Sequence, residues 1–316
     1  MNKRRFIKSL TLLGLSAPTF GRLNSILAAA EDQSPQALAE DEDFWSKIRA
    51  SYKLKPDYIN LESGFYCIQP EETLEHFIKH VREVNYHGSY YMRNYRLDNK
   101  ARVTAKLAEM ADCAPEELII TRNTTESLDT VIGGIDWSFG DEAIYANQDY
   151  MAMQFHFELI EERYGVVRKV VDVPLHPKSD EEIVAVYSNA ITPRTRLLMV
   201  PHIINFTGHI LPIRKICDMA HAQGVDVLVD GAHAFGHFQF SIKDLDCDFY
   251  GTSLHKWLSA PLGAGFLFAK KGMAKKVWPA FAERPTDEND IQKLNHTGTH
   301  PAHTDLAIGN AIDFQN

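Results

Sequence analysis

The sequence predicts an α/β fold, a mostly parallel seven-stranded sheet with helices on both faces. Three observations predict it. From about residue 115 onward, short apolar runs alternate with amphipathic segments, the rhythm of a chain built from βαβ units. There are seven such runs with helical segments between them, which implies a mostly parallel sheet covered on both faces. Polar, chemically varied residues follow the ends of the runs, where open α/β sheets carry their sites.

The elements follow in order. "ETLEHFIKHVREV" has Leu74, Phe77, Ile78, Val81 and Val84 at helical spacing, which makes it an amphipathic helix with a core-facing stripe. "ELIIT" (117–121) reads as a strand and "TTESLDTVIGGI" (124–135) as the helix after it. "EAIYA" (142–146) is the next strand, followed by a helix over 150–164 and the strand "VVRKVVDV" (166–173). "TRLLMVPHI" (195–203) and "VDVLVD" (225–230) flank a helix over 212–224. That helix starts at Pro212, whose missing N–H costs nothing in a first turn, and stops at Gly224. "CDFYG" (247–251) and "AGFLFA" (264–269) complete the sheet. The expected organisation is a targeting segment over 1–30, a helical segment over 31–115 and the large sheet domain over 116–290. Residues 291–316, "IQKLNHTGTHPAHTDLAIGNAIDFQN", are expected to begin a small domain that is cut short.

The chain has 316 residues, 45% hydrophobic and 24% charged, enough for a sizeable core. Its net charge is −9, and Lys3, Arg4, Arg5, Lys8 and Arg22 stand in a stretch without acids, so the remainder is more acidic still. This argues against a nucleic-acid or anionic-membrane partner and leaves a local anion site open. Cys67, Cys113, Cys217 and Cys247 are scattered, without a CxxC pair or a histidine cluster. They read as free thiols, and no metal is expected. The start, "MNKRRFIKSLTLLGLSAPTFGRLNSILAAAED", has twin arginines, an apolar stretch too interrupted for a membrane span, and "AAA" before the first acids. It resembles a bacterial twin-arginine export signal cleaved after Ala30. That implies a periplasmic protein, the twin-arginine export machinery as a partner, and no stable membrane anchor. A basic amphipathic helix on a cytoplasmic protein is the other reading.

The chemistry gathers at strand ends. Asp230 closes "VDVLVD", so its carboxylate emerges where an unpaired charge is costly. It needs a cationic partner, either an arginine or a protonated heterocyclic nitrogen. Lys256 stands among Leu254, Trp257 and Leu258. It either snorkels to solvent or sits partly desolvated, where the neutral amine becomes a nucleophile toward an aldehyde. Thr124 and Thr125 lie at a strand-to-helix turn, as simple caps or as part of a phosphate cradle with the helix amides. Ser253 and His255 add donors beside the lysine, and Tyr150 either stacks on a flat ring or packs.

Phosphate cradle, buried carboxylate, amine and aromatic stacker together are what pyridoxal 5'-phosphate (PLP) requires. In their order and spacing, "TRNTTESL", "GDEAIYANQDY", "NFTGHILPI", "VLVDGAHAFG", "DFYGTSLHKWL" and the pair Gly298–Thr299 resemble the class V aminotransferases among fold type I PLP enzymes. The branch is that of isopenicillin N epimerase and the cysteine desulfurases. The resemblance covers roughly residues 55–310 and implies an aspartate aminotransferase-like large domain that binds PLP.

The resemblance also implies roles. Lys256 would form the internal aldimine and shuttle the α-proton, and Asp230 would hold the pyridinium protonated. Ala232 would lie against the ring, and His233 and Asn205 near its phenolic oxygen. Thr124, Thr125, Ser253 and His255 would hold the phosphate, with Thr299 reaching it across a homodimer with shared active sites. Tyr150 stands where desulfurases carry a stacking histidine. In "INLESGFYCIQP", Asn60 and Gly64 match the substrate-facing turn of epimerase-like relatives, whereas Glu62 and Ser63 depart from it. The arginine for a substrate carboxylate and the desulfurase cysteine loop would lie beyond Asn316. The implied activity is epimerisation or transamination of an amino acid or related amine. Desulfurase or selenocysteine lyase activity, and a non-catalytic protein that kept the fold, are the alternatives.

Overall fold

The structure, a computed structural model, describes residues 25–28, 30, 32–281 and 287–316. Most of the stretch that resembles an export signal lies outside them. Contacts divide the chain into two compact units, residues up to Ile59 with Ile68–Glu75, and Asn60–Cys67 with His76–Asn316. In the first unit, helices α1 (Pro35–Glu40) and α2 (Glu42–Arg49) are each capped by a side-chain acceptor. Ser34 Oγ takes the Ala37 N–H and the Asp41 carboxylate takes the Phe44 N–H, satisfying amides that the first turn leaves free. Helix α3 (Glu71–His87) begins in this unit and ends in the second. Its expected core-facing stripe is not fully buried, Leu74, Phe77, Ile78 and Val84 being half-buried and Val81 exposed.

The second unit continues through α4 (Ser89–Asn94) and α5 (Arg96–Ala111) into β1 (Leu118–Thr121) and α6 (Thr124–Gly134). Next come β2 (Glu142–Ala146), α7 (Met151–Tyr164), β3 (Val167–Val171), α8 (Asp180–Ser188) and β4 (Thr195–Pro201). Then follow α9 (Ile213–His221), β5 (Asp226–Asp230), α10 (Ile242–Leu245), β6 (Phe249–Ser253), β7 (Gly265–Ala269) and α11 (Ala302–Gln315). The strands form a seven-stranded sheet in the order β1-β7-β6-β5-β4-β2-β3. All neighbouring pairs from β3 across to β6 are parallel, while β7 runs antiparallel to both β6 and β1.

Both faces are covered, and successive residues divide between them as the strand pleat requires. Ile120, Leu198, Val229 and Phe266 pack with Leu107, Tyr187, Ile216 and Ile308 of α5, α8, α9 and α11. Their strand neighbours Ile119, Leu197, Leu228 and Leu267 pack on the other face with Leu128, Val131 and Phe157 of α6 and α7. Each fully buried side chain of this size contributes about 1.5–3 kcal/mol relative to an exposed one. The sheet is therefore a stiff platform for whatever projects from its strand ends.

Some boundaries differ from the sequence reading. The sixth strand is Phe249–Ser253 rather than 247–251. Asp248, just before it, is a tie: its carboxylate accepts the Val227 N–H at 2.8 Å and meets His221 Nε2 at 2.8 Å. The fourth strand ends at Pro201, beyond which Ile203 makes only an isolated bridge to Ile210. Helix α9 ends at His221. Residues 291–316 fall within the second unit. No helix among the described residues is long and apolar enough to cross a membrane.

Candidate active site

The site lies at the carboxyl ends of β5 and β6 and at the start of α6. Asn123 caps α6, its side-chain oxygen taking the Glu126 N–H at 2.8 Å. This leaves Thr124 and Thr125 inside the first turn rather than as caps. Thr124 is buried, and both its N–H and its Oγ1 lie 2.8 Å from Ser253 Oγ at the end of β6. The approach of the two elements depends on Gly265. A Cβ there would stand 2.7 Å from the Thr252 carbonyl oxygen and 2.8 Å from Asn123 Cα.

Asp230 ends β5 at 8% exposure, and its Oδ1 accepts the Ala232 N–H at 2.9 Å. No lysine or arginine among the described residues lies within ion-pair distance of it, so an arginine salt bridge does not account for this carboxylate. Burial raises its pKa, opposed by the Ala232 N–H and by the charge of Lys256.

Lys256 follows β6 in a turn that Ser259 closes by donating its N–H to the Lys256 carbonyl. Ser259 has a left-handed φ of 57° and donates its Oγ–H to Cys67 Sγ at 3.2 Å. The Cys67 N–H in turn donates to the His255 carbonyl at 3.0 Å. Thus the 60–67 segment is fastened to the lysine turn. Lys256 does not snorkel to solvent: it is half-buried, with Nζ 3.2 Å from His233 Nε2. Burial lowers its pKa, while the charges of Asp230 and Glu62 act in the opposite direction.

His233 itself is held below the usual histidine range, at about 4, first by burial and then by the charges of Lys256 and His237. Trp257 Nε1 donates to its Nδ1 at 3.4 Å. Gly64 lies against the same ring, where a Cβ would stand 3.2 Å from His233 Cε1. His255 Nδ1 is buried without a hydrogen-bond partner.

The structure therefore brings together Lys256, His233, Asp230, Ala232, Ser253, Thr124, His255 and Gly64. Thr125 is half-buried one residue into the helix, and Tyr150, half-exposed, immediately precedes α7. Asn60 shapes the 60–67 segment by accepting the Glu62 N–H at 3.1 Å. Asn205 and Thr299 are exposed, and neither is hydrogen bonded to the residues around Lys256. His202, also at a strand end, is a core histidine. It packs among Phe238, Phe240 and Tyr250, with Nδ1 3.3 Å from the Tyr250 hydroxyl.

Three contributors escape the sequence reading. Glu62 acts on Lys256, and the Trp257 N–H reaches His233. Asp149 is 1% exposed, its Oδ2 taking the Ala146 N–H at 2.9 Å while Oδ1 is buried without a partner. Burial, with a smaller contribution from Asp230, pushes the Asp149 carboxyl well above the usual range. The available signal was an acid placed three residues after the fully buried strand β2.

The chain is similar to known proteins in sequence and in fold. The chain is 28% identical to isopenicillin N epimerase of Streptomyces clavuligerus, covering 86% of this chain and 72% of the relative. It is 30% identical to the Amycolatopsis lactamdurans epimerase over the same shares. A probable cysteine desulfurase of Synechocystis is 27% identical, covering 77% of this chain and 60% of the relative. Among solved structures, a C-DES mutant with glycine covalently linked to its PLP cofactor matches with a TM-score of 0.78 at 23% identity. It covers 84% of this chain and 73% of that one, a likeness that shows the shared fold. The aminotransferase class-V model matches residues 69–310. By that match the chain belongs to the class-V aminotransferase family.

Proposed function

We propose that the chain is a PLP-dependent enzyme acting on an amino acid or related amine. It would use Lys256 for covalent attachment and α-proton removal, as an epimerase or transaminase. The observation that carries the reading is the buried Asp230 carboxylate, which lacks an ion-pair partner among the described residues and is sensed electrostatically by Lys256. A buried carboxylate without a permanent cation is costly, and a protonated ring nitrogen would supply one.

The residues fit that cofactor. Lys256 would hold its aldehyde carbon, Asp230 its ring nitrogen, and Ala232 and Tyr150 its faces. His233 and Asn205 would serve its phenolic oxygen. Thr124, Thr125, Ser253 and the unpartnered His255 Nδ1 would serve its phosphate, with Thr299 completing the cradle from a second subunit. When bound, PLP supplies an electron sink for the pair left on the substrate carbon.

The chain's own groups supply the remainder. Burial makes Lys256 shed its proton more readily than an ordinary lysine, which leaves a lone pair at Nζ for taking up a substrate proton. The first-turn amides of α6, with its positive dipole end, and the hydroxyls of Thr124 and Ser253 favour an anion. Leu254 and Leu258, on either side of the lysine in sequence, are buried in the core and anchor the lysine turn to it.

Purified full-length protein given PLP is expected to absorb in the visible, and borohydride is expected to fix the cofactor on Lys256. A colourless protein with no labelled lysine overturns the reading. The desulfurase-like relative supports a second reading, cysteine desulfurase or selenocysteine lyase. Sulfide release from cysteine favours it, and solvent exchange of a substrate α-proton without sulfide favours the first. A coloured protein that does neither is a non-catalytic member. The proposed homodimer is checked by sedimentation. Twin-arginine export to the periplasm rests on the "MNKRRF" stretch and is checked by sequencing the amino terminus of periplasmic material.

A further inference from the structure

Trp257 follows the active-site lysine, and its indole N–H donates to His233 Nδ1 at 3.4 Å. A ring nitrogen that accepts a hydrogen bond presents a lone pair and carries no proton. A neutral imidazole with a bare Nδ1 carries its hydrogen on Nε2 and can only donate from there. That Nε2 lies 3.2 Å from Lys256 Nζ. Two donors do not make a hydrogen bond, so the lone pair in this contact belongs to the lysine. The other protonation states fail on the same geometry. An imidazolium, or the tautomer with its hydrogen on Nδ1, would point one N–H at another across the Trp257 contact.

The indole is itself held in place. The His237 ring stacks on Trp257 with centroids 3.7 Å apart and planes within 1°. His237 Nδ1 donates to the His233 carbonyl at 3.0 Å. Three rings thus form a closed arrangement in which His237 fixes the plane of Trp257, and Trp257 fixes the hydrogen of His233.

We propose that Trp257 is a positioning residue that sets His233 as the Nε2–H tautomer, so that in the cofactor-free protein His233 donates to Lys256 and holds it as the free amine. This rests on the reading of Lys256 as the group that captures the cofactor aldehyde. The charged groups around Nζ make the arrangement consequential. Asp230 and Glu62 both favour the ammonium, and a donor aimed at Nζ opposes them. His255 and His237, the neighbouring imidazoles, add no negative charge. With the cofactor bound, the same Nε2–H would be free to serve its phenolic oxygen.

The test is nitrogen-15 NMR of the full chain, histidine-labelled and cofactor-free, with the His233 signals assigned by their loss in His233→Gln. The expected result at neutral pH is a single neutral Nε2–H tautomer for His233. It should become a mixture in Trp257→Phe, which keeps a ring for His237 and removes the N–H. An Nδ1–H tautomer or an imidazolium in the wild type overturns the proposal, as does an unchanged tautomer in a folded Trp257→Phe. Should that variant not fold, His237→Leu, which frees the indole plane, is read the same way.

A second readout is the pH midpoint for capture of added PLP, followed by absorbance. It is expected to move upward in Trp257→Phe, each whole unit costing about tenfold in free amine at neutral pH. A protein that shows the Nε2–H tautomer but never captures PLP defeats the functional reading and spares the tautomer. A protein that captures PLP with the other tautomer defeats only the latter.

Discussion

Thr124 and Ser253, 129 residues apart in the chain, are joined twice, since both the N–H and the hydroxyl of Thr124 lie 2.8 Å from Ser253 Oγ. The contact locks the first turn of α6 to the end of β6. In Ser253→Ala the buried Thr124 N–H loses its acceptor, which costs about 1–3 kcal/mol. Urea unfolding of the cofactor-free protein should show that loss, and affinity for PLP should fall with it. Unchanged stability and affinity would mean that the pair is incidental.

Gly265 allows this meeting. In Gly265→Ala the new methyl meets backbone on two sides, at Thr252 and Asn123, neither of which can swing aside. A loss of about 1–3 kcal/mol is expected from the forced displacement. It should be read by urea unfolding together with weaker PLP binding.

Lys256 sets a pH dependence. Its folded pKa is lowered by burial, so the folded state resists protonating it while the unfolded chain does not. The resulting stability penalty is fully present below the depressed folded value and is relieved as pH rises toward 10.5, the ordinary lysine value. Compared with Lys256→Met, wild-type protein should therefore gain stability with rising pH over that window in paired urea titrations. PLP capture should accelerate over the same range. Glu62→Gln removes a charge that favours the ammonium, and its capture midpoint should move slightly downward, the effect being small because Glu62 is exposed.

Asp149 has the opposite pH dependence. It is an acid whose folded pKa is raised, so folding is penalised progressively as pH rises above 3.8, where the unfolded carboxyl ionises and the folded one does not. Asp149→Asn keeps an acceptor for the Ala146 N–H and cannot ionise. Its stability relative to wild type should increase from acidic toward neutral pH. A flat difference across that range would show that Asp149 is charged in the fold.

Much of this was readable in the sequence because burial leaves a direct mark. "EAIYA" coincides with β2, and "VDVLVD" delivers Asp230 to a strand end because branched apolar residues cover both faces. Strand direction left no mark: a doubly covered strand is apolar throughout whichever way it runs, so the reversed β7 could not be read from "AGFLFA". Helix α8 was missed because its acidic first turn, Asp180, Glu181 and Glu182, outweighs a short apolar stripe of Ile183 and Tyr187. At the site, Trp257 reads from sequence as a greasy neighbour that desolvates the amine. Its N–H matters only because His233 folds beside it, and Glu62 matters only because Cys67 fastens its segment to the lysine turn.

The place of β7 also dictates when the site can exist. Strand β1, at residues 118–121, has β7, at 265–269, as its strand partner. During synthesis the start of α6 therefore waits for well over a hundred further residues before its supporting edge is complete. Loop closure of that length is entropically costly and slow. Strands β2 to β5 pair with one another in parallel and can assemble beforehand, so the cradle around Thr124 and Lys256 is among the last parts of the sheet to form. A nascent chain released between Lys256 and Gly265 would carry Asp230 and Lys256 but not the frame that brings Thr124 to Ser253.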